Sequence, residues 1–136
     1  GSAQIDAMKE LAGPLRIEFA QYNELSVFAQ FGSDLDENTL ERLNHGEKIM
    51  EVLKQPQYRP LPVEDQVLIL YALSQRHLVD VETSRILRFQ REFIKYVTTH
   101  NPEIREEIRE TGQLSDELRK QIDSLIELVK EQYNFT

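Results

Sequence analysis

The chain has 136 residues, of which 40% are hydrophobic and 29% charged, the size and mixture of one globular domain with one sizeable core. Sixteen Lys plus Arg against twenty-four Asp plus Glu leave a net charge of −8, which argues against nucleic acid as a partner, because phosphates call for a basic face, and equally against an anionic membrane surface. With no cysteine, disulfide scaffolds, thiolate catalysis and thiolate metal sites are excluded.

Strand signals are missing: no alternating β-branched run is bounded by turn residues, and no Asn-Gly or Asp-Gly hairpin occurs. Helix punctuation occurs throughout. Ala3 to Gln30 is helical in pattern, with a break or kink expected at Gly13-Pro14 because proline removes an intrahelical bond and crowds the preceding turn. Phe31 to Asp36 reads as a loop. A second helix is expected from Glu37 to about Lys54, with Leu40, Leu43, Met50 and Leu53 inward and Gly46 allowing a close backbone approach.

Three prolines between Gln55 and Pro62 rule out helix there, and Pro62 suits the first position of a third helix reaching to about Leu78. Val67 to Leu73 is apolar all round, so that helix is the central one. Its seven residues are the longest apolar run, far short of the roughly 18–20 a membrane span requires. Direct membrane insertion is therefore not expected. The first residues show no basic, apolar leader pattern, so the expectation is a soluble, intracellular chain. Asp80 is the expected N-cap of a fourth helix ending near His100, with Ile86, Phe89, Phe93 and Val97 inward. Asn101-Pro102 opens a short fifth helix stopped by Gly112. Ser115 caps a sixth whose stripe is Leu118, Ile122, Leu125, Val129 and Tyr133. The expectation is an all-α fold, a single helical bundle of about six helices over residues 1–136.

Chemistry is sparse. His45, His77 and His100 fall in three different places without the i,i+4 pairing of a zinc helix, and read as surface or helix-end histidines. No metal site is expected. Ser2, Ser33 and Ser115 are explained by capping or loops, no phosphate-loop motif occurs, and the acidic run Glu103 to Glu107 is a salt-bridged solvent face. From the residues alone no catalytic group emerges. Two segments stand out. In Phe28 to Asp36, two aromatics lead into an acidic turn, read either as core entry, turn and cap or as an acidic contact loop. In Lys54 to Tyr58, Gln55 and Gln57 flank Pro56, read either as helix stop and linker or as two amides offered to a planar partner such as a base edge.

The same two segments carry a resemblance, joined by Ala20-Gln21-Tyr22, Pro60-Leu61-Pro62-Val63-Glu64, Asn101-Pro102-Glu103-Ile104, Ile108 to Gly112 and Leu114 to Leu118. With these the chain resembles, over essentially its whole length, the C-terminal helical domain of the alpha subunit of the rotary, proton-translocating ATP synthase. The resemblance implies an all-α domain beneath a nucleotide-binding domain, in a ring of alpha and beta subunits around a gamma rotor. The phosphate loop and the catalytic arginine of that family lie upstream, so no catalytic residue is carried over and the chain by itself is not expected to be an enzyme.

What carries over by resemblance is narrower. Gln55 and Gln57 match glutamines on the adenine side of the non-catalytic nucleotide site, and Phe31, Gly32, Ser33, Asp34, Leu35 and Asp36 match the segment facing the rotor. The resemblance implies beta and gamma subunits as partners. It implies no cofactor in the chain itself, and ATP or ADP with Mg in the parent subunit. It also implies a peripheral position on the cytoplasmic face of a bacterial plasma membrane, or on the matrix side in an organelle. A stand-alone helical adaptor sharing the fold is the alternative. Pro14, Asn44-His45-Gly46 and Ser74 to Asp80 depart from the family's usual pattern.

Overall fold

A computed structural model describes residues 5–31, 35–54 and 61–135. Among these the chain forms six α-helices and a single 3-10 turn, with no strand, so the expected all-α bundle is what folds. Helix α1 spans Asp6–Ala29 and continues through Pro14, so the break that was one of the two outcomes expected there does not occur. Two local features lower the cost. Gly13 has no Cβ to clash with the proline ring, and Leu11 and Leu15, on either side, are both buried in the same core. Packing on both flanks outweighs the missing bond.

Helix α2 spans Glu37–Leu53, and its N-cap Asp36 accepts from the Thr39 amide at 2.7 Å. Gly46 is buried as its place on the expected stripe requires, but the rest of the buried face is His45, Lys48 and Ile49, whereas Leu40 and Leu53 are exposed. The helix docks on α1 through Gly46, where a Cβ would overlap the Tyr22 side chain, and this close approach sets the orientation.

Helix α3, Val63–Ser74, buries Val67, Leu68, Ile69, Tyr71, Ala72 and Leu73 and packs against α1 as well as the three helices that follow. It is central, as its all-round apolar run requires. Pro62 stands at its N-cap, one position earlier than expected. The helix stops short of Leu78 because Arg76 turns left-handed, with φ 63°. The Arg76 amide donates to the Leu73 carbonyl (3.1 Å) and the His77 amide to that of Ala72 (3.0 Å), the paired bonds of a Schellman motif.

A 3-10 turn, Thr83–Arg85, leads into α4, Ile86–His100. Asp80 does not cap α4; its carboxylate lies 2.8 Å from the Lys130 ammonium instead. The inward set of α4 is as expected, Ile86, Phe89, Phe93 and Val97. Phe89 also stacks on Phe93 and meets Phe135 edge-on, both at 5.5 Å. Helix α5, Pro102–Thr111, ends at Gly112 with φ 68°. Asn101 precedes it, but its side chain reaches Glu103 rather than a first-turn amide. The Gly112 carbonyl accepts from the Ala7 amide at 2.9 Å, tying the end of α5 to the start of α1. Helix α6, Asp116–Gln132, is capped by Ser115, which accepts from the Leu118 amide at 3.1 Å. Leu118, Ile122 and Val129 are buried as expected, and Ile126 completes the face, with Leu125 and Tyr133 only partly buried.

Charged pairs lock the layers. Glu64 and Asp65, buried on the first turn of α3, meet Arg109 at 3.3 Å and Arg105 at 2.7 and 3.2 Å from α5. The amide end of α3 adds to both carboxylates.

Candidate functional site

The two segments singled out in the sequence flank α2. The loop from Phe31 to Asp36 enters it and the Gln55–Gln57 segment follows it. Helix α2 itself, seventeen residues long, is roughly 25 Å from end to end at 1.5 Å per residue. Gly32, Ser33, Asp34, Gln55 and Gln57 lie outside the described residues, so only the frames of both segments are visible. At the first, α1 ends in exposed side chains: Val27, Phe28 and Phe31, the last 85% exposed. The two aromatics therefore do not enter the core. Across the loop, Leu35 is half-buried, Asp36 is held at its cap, and Leu40 is exposed. The hydrogen bonds from Thr39 keep the Asp36 carboxyl below its ordinary range. At the second segment, Lys54 closes α2 beside Glu51 at 2.9 Å, and the Gln66 side-chain amide donates to the Leu61 carbonyl at 2.7 Å.

Sequence reasoning missed the histidines. His45 is 3% exposed, not a surface residue. Its Nε2 lies 2.8 Å from a Glu18 carboxylate oxygen, out of line for a hydrogen bond, and its Nδ1 has no partner. Burial, and then the nearby Arg76 charge, lower its pKa below the ordinary 6.5, with Glu18 pulling the other way. The available signal was helical spacing: His45 and Ile49 are four apart beside Gly46, a face that buries together. His77 lies in the turn after α3, with one ring nitrogen 2.8 Å from Asp123 and the other 2.8 Å from Glu127. Tyr71 donates to the same Asp123 at 2.8 Å; burial, and then that carboxylate, push its phenol well above the ordinary range. The buried Lys130 ammonium donates to the His77 carbonyl at 2.8 Å. These groups pair with one another and stitch α3 to α6. Among the described residues no cluster of His, Asp and Glu has an arrangement that holds a metal ion, and no helix is long and apolar enough to cross a membrane.

An all-α bundle whose polar clusters tie helix to helix defines a helical domain without a catalytic or metal-binding cluster among the described residues. Comparison with known proteins places it further. The family described as "ATP synthase alpha/beta chain, C terminal domain" matches residues 4–129, and the chain belongs to that family. It is 49% identical over 126 residues to the ATP synthase subunit alpha of Clostridium botulinum strain Hall, covering 93% of this chain and 25% of the relative. To the ATP synthase subunit alpha of Clostridium kluyveri strain ATCC 8527 it is 50% identical over 130 residues, covering 96% and 26% respectively. The chain thus spans about a quarter of the length of these relatives.

Proposed function

We propose that residues 1–136 act as the C-terminal helical domain of an ATP synthase alpha subunit, a structural and interaction module without catalytic residues of its own. The observation that carries this reading is the near-50% identity to subunits of that name over more than nine-tenths of the chain. In the proposed role the domain contacts beta and gamma subunits within a proton-coupled rotary complex attached peripherally to a membrane. Nucleotide with Mg is held mainly by the rest of the subunit. Gln55 and Gln57 line the adenine side of the non-catalytic nucleotide site, and Phe31 to Asp36 face the rotor. The exposed Phe28, Phe31 and Leu40 support a contact role for that end, because a free surface seldom presents large apolar groups on both sides of one loop.

The separation along α2 makes the two roles independently testable in the assembled enzyme. Gln55→Ala or Gln57→Ala is expected to weaken nucleotide retention at non-catalytic sites and leave rotor coupling intact. Asp34→Asn is expected to alter coupling, with an effect that shrinks as salt screens the exposed charge, and to leave nucleotide retention intact. Two amides contribute only about 1–3 kcal/mol of net hydrogen bonding, so the purified chain alone is expected neither to hold ATP tightly nor to hydrolyse it. Unchanged nucleotide retention and coupling in these variants, or ATP turnover that tracks with the purified chain, overturns the reading.

A further inference from the structure

Between α1, α2 and the turn after α3 lies a cavity of about 170 Å³ whose polar lining is Glu18, Gln21, Tyr22, Arg42, His45 and Arg76. That volume is below the roughly 300–1,000 Å³ of pockets for drug-sized ligands, which suits a small ion and leaves no room for a nucleotide. Its hydrogen-bonding capacity is largely unused. Gln21, Arg42 and the Tyr22 hydroxyl make no hydrogen bond or ion pair among the described residues, and the His45 Nδ1 is buried without a partner. Arg76 reaches only Glu18, at 3.5 Å. Two guanidiniums against one carboxylate leave a positive excess here, in a chain that is acidic as a whole.

Arg76 supplies a second, independent observation. The Schellman turn closing α3 requires φ > 0 at this position, which glycine meets without strain. An arginine at φ 63° satisfies the turn less well and places a guanidinium at the mouth of the cavity. Backbone strain of this kind persists where the side chain has a use.

We propose that this cavity binds a small tetrahedral oxyanion, held by Arg42 and Arg76 and by the second N–H that His45 gains when it is protonated. The charged groups facing His45 are Glu18 from α1, Arg76 from the turn and Arg42 one turn earlier on α2. Lys48, further along α2, is tied to Thr83 at 2.9 Å. Burial, and then Arg76, lower the His45 pKa and so favour the neutral imidazole. A bound dianion offsets Arg76 and favours the imidazolium, so binding takes up a proton and tightens as pH falls.

The probe is sulfate, which stays a dianion through the neutral and mildly acidic range. It is titrated into the full chain at constant ionic strength against chloride, following the His45 ring signals and the Arg42 and Arg76 Nε–H resonances by NMR. The expected result is saturable shifts specific to sulfate, with a dissociation constant on the order of 1 mM that tightens with acid. Arg76→Gly is expected to weaken binding about tenfold with no fall in melting temperature, since glycine suits the turn. Arg42→Gln, at an exposed helix position, provides a second variant that retains the fold and is expected to weaken binding as well. Shifts equal to those from chloride, affinity indifferent to pH, or unchanged binding in both variants overturns the proposal.

Discussion

Gly46 of α2 lies so close against Tyr22 of α1 that a Cβ on Gly46 would overlap the Tyr22 side chain. This contact fixes the rotation of α2 and thereby brings His45 and Ile49 into the interior while leaving Leu40 and Leu53 outside. It also determines the floor of the cavity that His45 lines.

Gly46→Ala is expected to destabilise the chain by about 1 kcal/mol: overpacking costs about 1–3 kcal/mol, of which the higher helix propensity of alanine returns roughly 1 kcal/mol. Urea denaturation checks this, and the same substitution in a Tyr22→Ala background should turn neutral or stabilising, since the ring that excludes the Cβ is then gone.

Pro14 is exposed inside a continuous helix, held there by packing on both sides. Pro14→Ala restores an amide donor and removes a ring from the turn before it. It is expected to stabilise the chain by about 1–3 kcal/mol, read as a higher melting temperature with unchanged helical content. A lower melting temperature would mean that the core on either side depends on a bend at Pro14.

The two arginines of α5 should behave differently. Arg105 makes two bonds to Asp65, which is buried, and Asp65 holds the guanidinium pKa above its ordinary value. Arg105→Ala leaves that carboxylate unpaired and is expected to cost about 3 kcal/mol. Arg109 is mostly exposed and makes one longer contact with Glu64, at 3.3 Å, but Glu64 is as buried as Asp65, so Arg109→Ala should cost less than Arg105→Ala and more than loss of a surface pair, about 1–2 kcal/mol. Equal losses in denaturation would show that Glu64 and Asp65 draw equally on their partners.

The Asp36 cap carries a pH signature. Its folded pKa is lowered by the bonds from Thr39, so the folded state holds its proton less well than the unfolded chain. Its contribution is therefore full above the ordinary carboxylate value and is lost as pH falls through the lower, folded value. Asp36→Ala is expected to lower the melting temperature near neutrality, and the gap from the wild type should close in acid below about pH 4. A gap that persists undiminished well below about pH 4 would assign the loss to something other than the ionised cap.

Asn101-Pro102, Gly112 and Ser115 delimit α5 and the start of α6 where the structure has them, because capping and chain termination are decided within four or five residues of backbone. The all-round apolar run from Val67 to Leu73 likewise identified the central helix, since such a segment has no face left for water. Tertiary structure decided the rest. The continuity of α1 through Pro14 depends on Leu11 and Leu15 sharing one core. Asp80 is drawn away from helix capping by Lys130, fifty residues later in the chain. The inward face of α2 is chosen by Tyr22 meeting Gly46, and with it the burial of His45 beside Glu18 and Arg76. Local patterns encode where helices begin and end because their hydrogen bonds are short-range. Which face of α2 turns inward, and which charges meet around His45, is set by contacts between residues distant in sequence, which a local pattern does not record.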